Sequence, residues 1–348
     1  MIEPTEITVM TWNILASRAT EHQAIFKNLP PNLEVTPSGS KEVSKKQRES
    51  KEQQTARHEK ISGYINNKGA DVVLLQEVDF NFYIHFKSKY WADYEMLFDV
   101  FMSSEFDVDE NLGNFGVGII FKKSTFDAKI TYKYLRTPDG KRYTRKNALL
   151  LYLTHKATSK PIVFASFHLA GSHGHDRSGA DNLLSDVIEE TISYENVIIG
   201  GDFNCDFKTN PQCSLIVPKE KFISNDDNII TTCTFDYVNP GEDTKAVIDK
   251  IYATNTFTIK SYEIKNIDCD WMQIWTKSGK DVYYPSDHFP ILAKLKINDI
   301  GLFISSPSES KSDEIINHAG GSAFKSTSLS KNEIIYDIKK VINLIINK

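Results

Sequence analysis

Cysteine is scarce in this sequence. The chain has 348 residues and four cysteines, Cys205, Cys213, Cys233 and Cys269, and no two of them form a CxxC pair. This number and spacing indicate neither a disulfide framework nor a zinc cluster. We therefore expect free thiols, which are typical of a reducing compartment. On this basis we place the protein inside the cell, in the cytoplasm or the nucleus.

Long hydrophobic runs and an excess of positive charge are also absent. No apolar stretch approaches the roughly 18–20 residues that a membrane-spanning helix needs. The first residues, Met1–Glu6, lack the basic and apolar parts of a signal peptide, so we expect no membrane partner. The formal net charge of −5 disfavours a protein that binds nucleic acid through a broad basic face. An enzyme with a small basic cleft remains compatible with this charge.

Apolar residues are plentiful and regularly spaced. Hydrophobic residues make up 40% of the chain, enough for a large core. Residues 54–67 and 180–192 have helical spacing, whereas shorter apolar segments between turn residues are typical of buried strands. The mixture predicts an α/β fold in which sheets pack on each other beneath helices. The strand candidates are Ile7–Trp12, Val72–Gln76, Met96–Phe101, Val117–Phe121, Ala148–Leu153, Ile162–Phe167, Val197–Ile199, Ile248–Ala253 and Ile291–Leu295.

Three segments depart from this pattern. Residues 29–54 are almost entirely polar, which predicts a flexible insertion in a catalytic domain of residues 1–298. The stretch 299–331 contains a serine-rich, charged run that is typical of a linker. Residues 332–348 carry branched apolar residues at helical intervals. They predict an amphipathic C-terminal helix that docks on the domain or on a protein partner.

Polar side chains stand at the ends of five strand candidates, where α/β folds usually build their sites. Taken singly, each could be a helix cap, an Asx turn or a structural histidine. Their occurrence in order, each at a predicted strand end, favours one common site. They are Asn13, Glu77, His168, the pair Asp202 and Asn204 after two glycines, and Asp287 beside His288.

With these residues the chain resembles the endonuclease/exonuclease/phosphatase superfamily of metal-dependent phosphodiesterases and phosphatases. The resemblance extends over about residues 7–297 and implies a four-layer α/β sandwich, with two packed mixed β-sheets flanked by helices. The blocks that carry it are Trp-Asn at 12–13, Gln-Glu at 76–77, His-Leu at 168–169, Gly-Asp-Phe-Asn at 201–204 and Ser-Asp-His at 286–288.

The resemblance implies a metal site at three of these residues. Glu77 would be the principal ligand, assisted by Asn13 and Asp287, and Asn13 would also contact the substrate. Carboxylate and amide oxygens are hard ligands, which suit Mg²⁺, or Mn²⁺ as a substitute, better than zinc. We therefore expect a Mg²⁺ cofactor.

The catalytic roles implied by the resemblance fall on five residues. Asp202 would orient or deprotonate the attacking water, and Asn204 would hold the phosphate or that water. His168 would contact the phosphate in the transition state. His288 would lie beside the phosphate and be oriented by Asp249, since a second hydrogen bond fixes the tautomer of an imidazole. The family more often has tyrosine after this aspartate, where this chain has lysine.

Within the superfamily the motifs are most similar to the branch of deadenylases, nocturnin and Angel proteins. An Arg57-bearing helix precedes the Ala-Asp to Gln-Glu-Val block at 70–78. Asn147 matches an active-site asparagine of that branch, and Arg177 matches a residue that contacts phosphate or supports the structure. Both are expected to bind substrate. Asp181 stands where the branch usually has glutamine.

This branch implies a deadenylase-like 3′–5′ exoribonuclease on single-stranded RNA, which is our first expectation. A DNA-end phosphodiesterase of the tyrosyl-DNA type, an endonuclease and a nucleotide or inositol phosphatase share the blocks and stay open, with DNA as the alternative nucleic-acid partner. A catalytically silent scaffold is the alternative outside the enzymes. The intact polar set argues against it, because unneeded buried carboxylates cost stability.

Overall fold

The structure is a computed structural model of the chain. It describes residues 5–15, 51–100, 115–127, 130–135, 147–169, 177–208, 217–224, 232–234, 244–264, 274–275, 282–283, 285–286 and 288–298. The chain divides into two units, Met1–Ile300 and Gly301–Lys348, and every described residue belongs to the first. The predicted linker and C-terminal helix lie outside the described residues.

Strands and helices alternate along the chain. The helices are α1 (Lys51–Lys68), α2 (Phe80–Tyr90) and α3 (Arg177–Thr191). The strands are β1 (Glu6–Asn13), β2 (Val72–Asp79), β3 (Tyr94–Val100), β4 (Phe115–Lys122), β5 (Thr131–Tyr134), β6 (Asn147–Thr154), β7 (Pro161–His168), β8 (Val197–Asp202), β9 (Phe222–Ser224), β10 (Thr232–Thr234), β11 (Thr244–Ala246), β12 (Asp249–Thr254), β13 (Phe257–Ile264), β14 (Ile274–Trp275), β15 (Val282–Tyr283) and β16 (Ile291–Ile297).

Two mixed six-stranded sheets form the centre of the fold. The first has the strand order β13-β16-β1-β2-β4-β3, and the second has the order β5-β6-β7-β8-β12-β9. Each contains one parallel pair, β1 with β2 and β7 with β8. A parallel connection needs a crossover, and the helices α1 and α3 lie in the two crossovers. Short two-stranded ribbons, β10-β11 and β14-β15, complete the described strands.

The sheets pack face to face, with helices on their outer faces. Inward residues such as Val72 and Phe164 form one core between the sheets. Met10 and Trp12 of β1 point the other way, into a second core under α1 and α2. A third core lies between α3 and the second sheet. Because central strands are buried on both faces, they read as continuous apolar runs. The predicted four-layer α/β sandwich is therefore confirmed.

Most predicted elements are present with slightly different bounds. All nine strand candidates and both helices occur in the structure. Helix α1 begins at Lys51, a few residues before the end of the insertion predicted at about 29–54. Residues 29–50 lie outside the described part of the chain. Along the described residues, no helix is long and apolar enough to cross a membrane.

Two substantial elements escaped sequence reasoning. Helix α2 follows β2 without a loop. It buries Phe82 and Phe86, but its other aromatic residues are exposed or half-buried, so the sequence shows no clear helical period. Strand β13 is an edge strand with alternating exposed side chains, and its register shifts between Ile259 and Ser261. Its apolar residues are therefore too sparse to form the short apolar segment from which the buried strands were predicted.

One cysteine contradicts the sequence analysis. Cys205 forms a disulfide bond, so the prediction of free thiols throughout is wrong. Its partner lies outside the described side chains. Sequence spacing gave no sign of the bond, because disulfide formation depends on distance in the fold. Disulfides are more typical of oxidising compartments, so cysteine usage no longer supports the intracellular placement, which stays a prediction.

Candidate active site

The strand registers bring the predicted polar residues to one edge of both sheets. In the first sheet, Asn13 at the end of β1 pairs with Gln76 of the parallel strand β2. In the second, His168 at the end of β7 pairs with Asp202 at the end of β8. Antiparallel β12 places its first residue, Asp249, opposite Asp202. Since carboxyl ends of parallel strands meet at one edge, the topology itself assembles this cluster.

Glu77 is presented by an irregularity in β2. The pairing of β2 with β4 shifts register between Leu75 and Val78, and Glu77 has a left-handed φ of 54°. A left-handed conformation is unfavourable for a residue with a side chain, and such strain is concentrated at functional sites. The preceding Gln76 donates to Ser166 Oγ of the second sheet at 3.2 Å and so fastens the strand beside the irregularity.

The Asn13 amide joins the two sheets. Its Nδ2 donates to Glu77 Oε1 at 3.2 Å and to Asp202 Oδ2 at 3.0 Å. Its Oδ1 accepts from the backbone N–H of Leu15 at 3.0 Å. A backbone N–H can pair only with the oxygen of an amide, so this bond determines that the NH₂ group faces the carboxylates.

Asp202 Oδ2 is the central atom of the cluster. It lies 3.5 Å from His168 Nε2 and 3.7 Å from His288 Nε2, in addition to the bond from Asn13. Its Oδ1 accepts from the backbone N–H of Asn204 at 2.7 Å. Asp202 is 1% exposed, and its hydrogen bonds from Asn13 Nδ2 and from the Asn204 N–H compensate for the loss of water around it.

His288 is oriented by Asp249, as the sequence predicted. Its Nδ1 lies 2.8 Å from Asp249 Oδ2. A carboxylate at Nδ1 holds the proton there and turns Nε2 toward the site. Lys250 lies over the rings of Phe207 and Tyr252, on the opposite face of β12. The lysine at this position is therefore compatible with the pairing of the aspartate and histidine.

The segment that carries His288 is anchored to β1. Ser286 Oγ donates to the backbone oxygen of Asn13 at 2.6 Å and accepts from the N–H of His288 at 3.1 Å. Trp12 Nε1 donates to the backbone oxygen of His288 at 2.9 Å. The Trp-Asn and Ser-Asp-His blocks are thus hydrogen-bonded to each other.

Asn204 and His168 form the remaining side of the cluster. Asn204 has a left-handed φ of 49°, and its Nδ2 donates to Leu169 O at 2.6 Å and lies 2.9 Å from His168 Nε2. His168 Nε2 is also 4.0 Å from Glu77 Oε1. His168 is only partly buried.

The structure therefore brings together seven of the predicted site residues, and three others are less fully described. Asn147 begins β6 and pairs with His168, and Arg177 begins α3, but their side chains are outside the described part. Asp287 lies outside the described residues. The seven are Asn13, Glu77, His168, Asp202, Asn204, Asp249 and His288.

Sequence reasoning missed the residues that hold this cluster in place. Trp12, Gln76 and Ser286 stand in the same motif blocks as Asn13, Glu77 and His288, and this position in the sequence was the available signal. Ser166 gave no signal, because its contact joins two sheets.

One group of three side chains and one separate carboxylate, Glu77, offer metal ligands. Ligand atoms of Asp202, Asp249 and His288 lie within 4.8 Å of one another and are buried. Glu77, by contrast, is less deeply buried, with a side chain 11% exposed. In the group of three, the imidazole of His288 is bonded to Asp249. Glu77 offers a carboxylate that is partly exposed.

Residues 10–288 match the family model described as Endonuclease/Exonuclease/phosphatase family. The chain belongs to this family. Its members hydrolyse phosphodiester or phosphate-ester bonds, and this protein is accordingly a hydrolase acting on phosphate esters, of the phosphodiesterase and nuclease type. A search of curated protein sequences finds no match.

Solved structures share the fold at low sequence identity. The human Nocturnin catalytic domain with bound sulfate is 20% identical, with a TM-score of 0.57 over 83% of this chain and 93% of that chain. ANGEL2, described as a 2′,3′-cyclic phosphatase in complex with adenosine-2′,3′-vanadate, is 16% identical, with a TM-score of 0.57 over 83% and 95%. D. rerio TDP2 with a single-strand DNA product is 15% identical, with a TM-score of 0.54 over 83% and 98%. The TM-scores show a common fold at these low identities.

Proposed function

We propose that this protein is a Mg²⁺-dependent phosphodiesterase that removes nucleotides from the 3′ end of single-stranded RNA. The observation that carries the hydrolytic part is the environment of Asp202 Oδ2. One buried carboxylate oxygen is surrounded by an amide and two imidazoles, with a second carboxylate across the same amide. Phosphate-ester hydrolysis needs such a set: a base for water and donors for the phosphate oxygens.

The donor chemistry fits Mg²⁺ at Glu77. Mg²⁺ usually keeps several waters and is bound by one or two carboxylates, which suits the partly accessible Glu77. The buried group with His288 is less suitable, because Mg²⁺ disfavours nitrogen ligands. When bound, the metal would neutralise charge on the non-bridging phosphate oxygens. Asp287 stays a predicted ligand, and Asn13 directs its NH₂ group to the carboxylates instead.

The residues of the second sheet would handle the water and the phosphate. Asp202 accepts a proton from water as the water oxygen bonds to phosphorus and the bond to the leaving oxygen breaks. Asn13 and Asn204 hold Asp202 in position through its two oxygens. His288, held by Asp249, and His168 lie beside Asp202 and would contact the phosphate oxygens.

The preference for RNA rests on the motif blocks and on the nature of the structural relatives. ANGEL2 was solved with an adenosine-2′,3′-vanadate, and a 2′ oxygen distinguishes RNA from DNA. Nocturnin also shares the fold. The TDP2 complex with a single-strand DNA product favours a second candidate, a phosphodiesterase acting on DNA ends.

The test compares matched 5′-labelled poly(A) RNA and single-stranded DNA, in Mg²⁺ and in EDTA. We expect a ladder of RNA shortened from the 3′ end in Mg²⁺ alone, and a loss of roughly 10²–10⁴-fold in D202N. The control is E195Q, which also replaces a carboxylate by an amide. Glu195 is exposed and precedes β8, at the end of that strand opposite to Asp202.

The outcomes separate the candidates. Cleavage of DNA alone would replace the RNA assignment by the DNA-end candidate. If neither polymer is cut, phosphate release from nucleotides, inositol phosphates and tyrosyl-linked DNA ends is measured next. Equal activity of D202N and wild type on every substrate would refute the assignment of Asp202.

A further inference from the structure

Arg57 is a buried charged residue on helix α1, outside the catalytic cluster. It is 1% exposed, among the largest fully buried side chains. Its Nη1 donates to the backbone oxygens of Ile14 at 2.7 Å and Leu15 at 2.6 Å. The same atom donates to Pro285 O at 3.3 Å. One guanidinium therefore binds both segments that carry site residues, the chain after β1 and the chain before β16.

Leu15 is the residue through which this contact reaches the site. It has a left-handed φ of 56°, which a leucine rarely adopts. In that conformation its N–H donates to Asn13 Oδ1 at 3.0 Å, while its carbonyl oxygen accepts from Arg57. The bond from Arg57 thus holds a backbone conformation that the side chain of Leu15 disfavours.

The orientation of the Asn13 amide depends on this backbone conformation. With Oδ1 taken by Leu15, Nδ2 donates to Glu77 Oε1 and Asp202 Oδ2. If the amide turned over, its oxygen would face two carboxylates, and the donors to both would be lost. A continuous series of hydrogen bonds therefore leads from Arg57 through Leu15 and Asn13 to the two carboxylates.

We propose that Arg57 is a positioning residue, which fixes the Asn13 amide through Leu15 and so fixes Glu77 relative to Asp202. The guanidinium is suited to this position because its planar group presents several N–H donors in a fixed geometry, whereas a lysine ammonium is flexible and more strongly hydrated. The consequences for metal binding and activity rest on the proposed function, but the effect on the amide does not.

The variants are R57K, N13A and the double variant, with K68M as the control. K68M removes a cation from the same helix at a partly exposed side chain paired with Glu263. The first readout is the Asn13 side-chain amide signal in NMR spectra of metal-free protein, assigned by its absence from N13A. We expect R57K to shift or broaden this signal and K68M to leave it unchanged.

Metal binding and turnover form the second readout. We expect R57K to raise the Mg²⁺ concentration for half-maximal thermal stabilisation by roughly 10–100-fold, the usual effect of losing a residue that orients a ligand. We expect a lower kcat with little change in KM. In the N13A background the further effect of R57K on kcat should fall below about threefold, because both changes break the same series of bonds.

Two outcomes would overturn the proposal. An unchanged Asn13 signal in R57K, or losses that multiply fully in the double variant, would mean that Arg57 only stabilises the fold. If R57K does not unfold cooperatively, R57Q replaces it, since a neutral planar amide keeps N–H donors and is easier to bury. Failure of hydrolysis with an altered Asn13 signal would refute the proposed function and leave the positioning role intact.

Discussion

Asp202 and Asp249 occupy directly opposite positions on the neighbouring antiparallel strands β8 and β12, and each is 1% exposed. Like charges at opposite positions of a sheet repel each other, more strongly when buried. His288 lies between them, with Nδ1 at 2.8 Å from Asp249 Oδ2 and Nε2 at 3.7 Å from Asp202 Oδ2. One imidazole therefore lies between two buried carboxylates, and the stability of the fold and the geometry of the site depend on it together.

The first prediction concerns this arrangement. We expect H288A to lower the free energy of unfolding by roughly 3–5 kcal/mol, since two buried carboxylates lose the group between them. Adding D249N to H288A should restore at least about 1 kcal/mol, because one charge is then neutral. Urea unfolding at pH 7 in EDTA measures both. A double variant no more stable than H288A would contradict the repulsion between the two carboxylates.

The second prediction concerns the metal. We expect Mg²⁺ to raise the Tm of wild type, by an amount equivalent to about 2.7 kcal/mol at a concentration 100 times the Kd. E77Q should lose this rise, since it keeps the shape of Glu77 but removes the charged ligand. Differential scanning calorimetry with and without Mg²⁺ measures the effect, with E195Q as control. An undiminished rise in E77Q would place the ion elsewhere, with the group of Asp202, Asp249 and His288 as the next candidate.

The third prediction concerns Cys205. A disulfide within the chain uses two of the four cysteines, so the denatured, unreduced protein should expose at most two thiols, and four after reduction. We expect C205S to lower the free energy of unfolding by about 2 kcal/mol, through greater freedom of the unfolded chain. Reductant should destabilise wild type to the same level and leave C205S unchanged. Four thiols without reductant would show that the bond does not form in solution.

The sequence was sufficient for the parts of the fold that repeat a simple rule. Central strands buried on both faces read as apolar runs, and their polar ends at Asn13, His168 and Asp202 converge because the strand order brings them to one edge. Elements that mix exposed and buried aromatics, such as α2, or expose one face, such as β13, give a weaker pattern. The rule fails there because periodicity reports burial, and burial depends on the neighbours.

The internal support of the site could not be predicted. Arg57 meets chain segments 42–43 and 228 residues away in sequence, and a pattern in one helix contains no information about such contacts. The left-handed conformations of Leu15 and Glu77 are equally invisible, since neither residue type favours them. Motif blocks thus identify which side chains meet, whereas the contacts that orient these side chains are known only from the folded structure.

The last prediction concerns Asp79, which ends β2 and caps α2. Its Oδ1 accepts from the N–H of Phe82 at 2.7 Å, and its Oδ2 lies 3.7 Å from His58 Nε2. Burial alone raises the pKa of Asp79, but the hydrogen bond and charge of His58, together with the charge of Arg57, hold it well below its ordinary value. The ionised carboxylate therefore stabilises the folded state.

The pH dependence follows from the direction of this shift. A depressed pKa contributes stability that is complete above the unfolded pKa of about 3.9 and is lost as the pH falls through the folded pKa. We expect D79N, which keeps a capping oxygen, to cost about 2 kcal/mol at pH 7 and progressively less below about pH 4. D79A should cost about 1 kcal/mol more at every pH, through loss of the cap. Urea unfolding from pH 7 to pH 3 tests this, and a D79N deficit that stays constant across that range would mean that the charge of Asp79 contributes nothing.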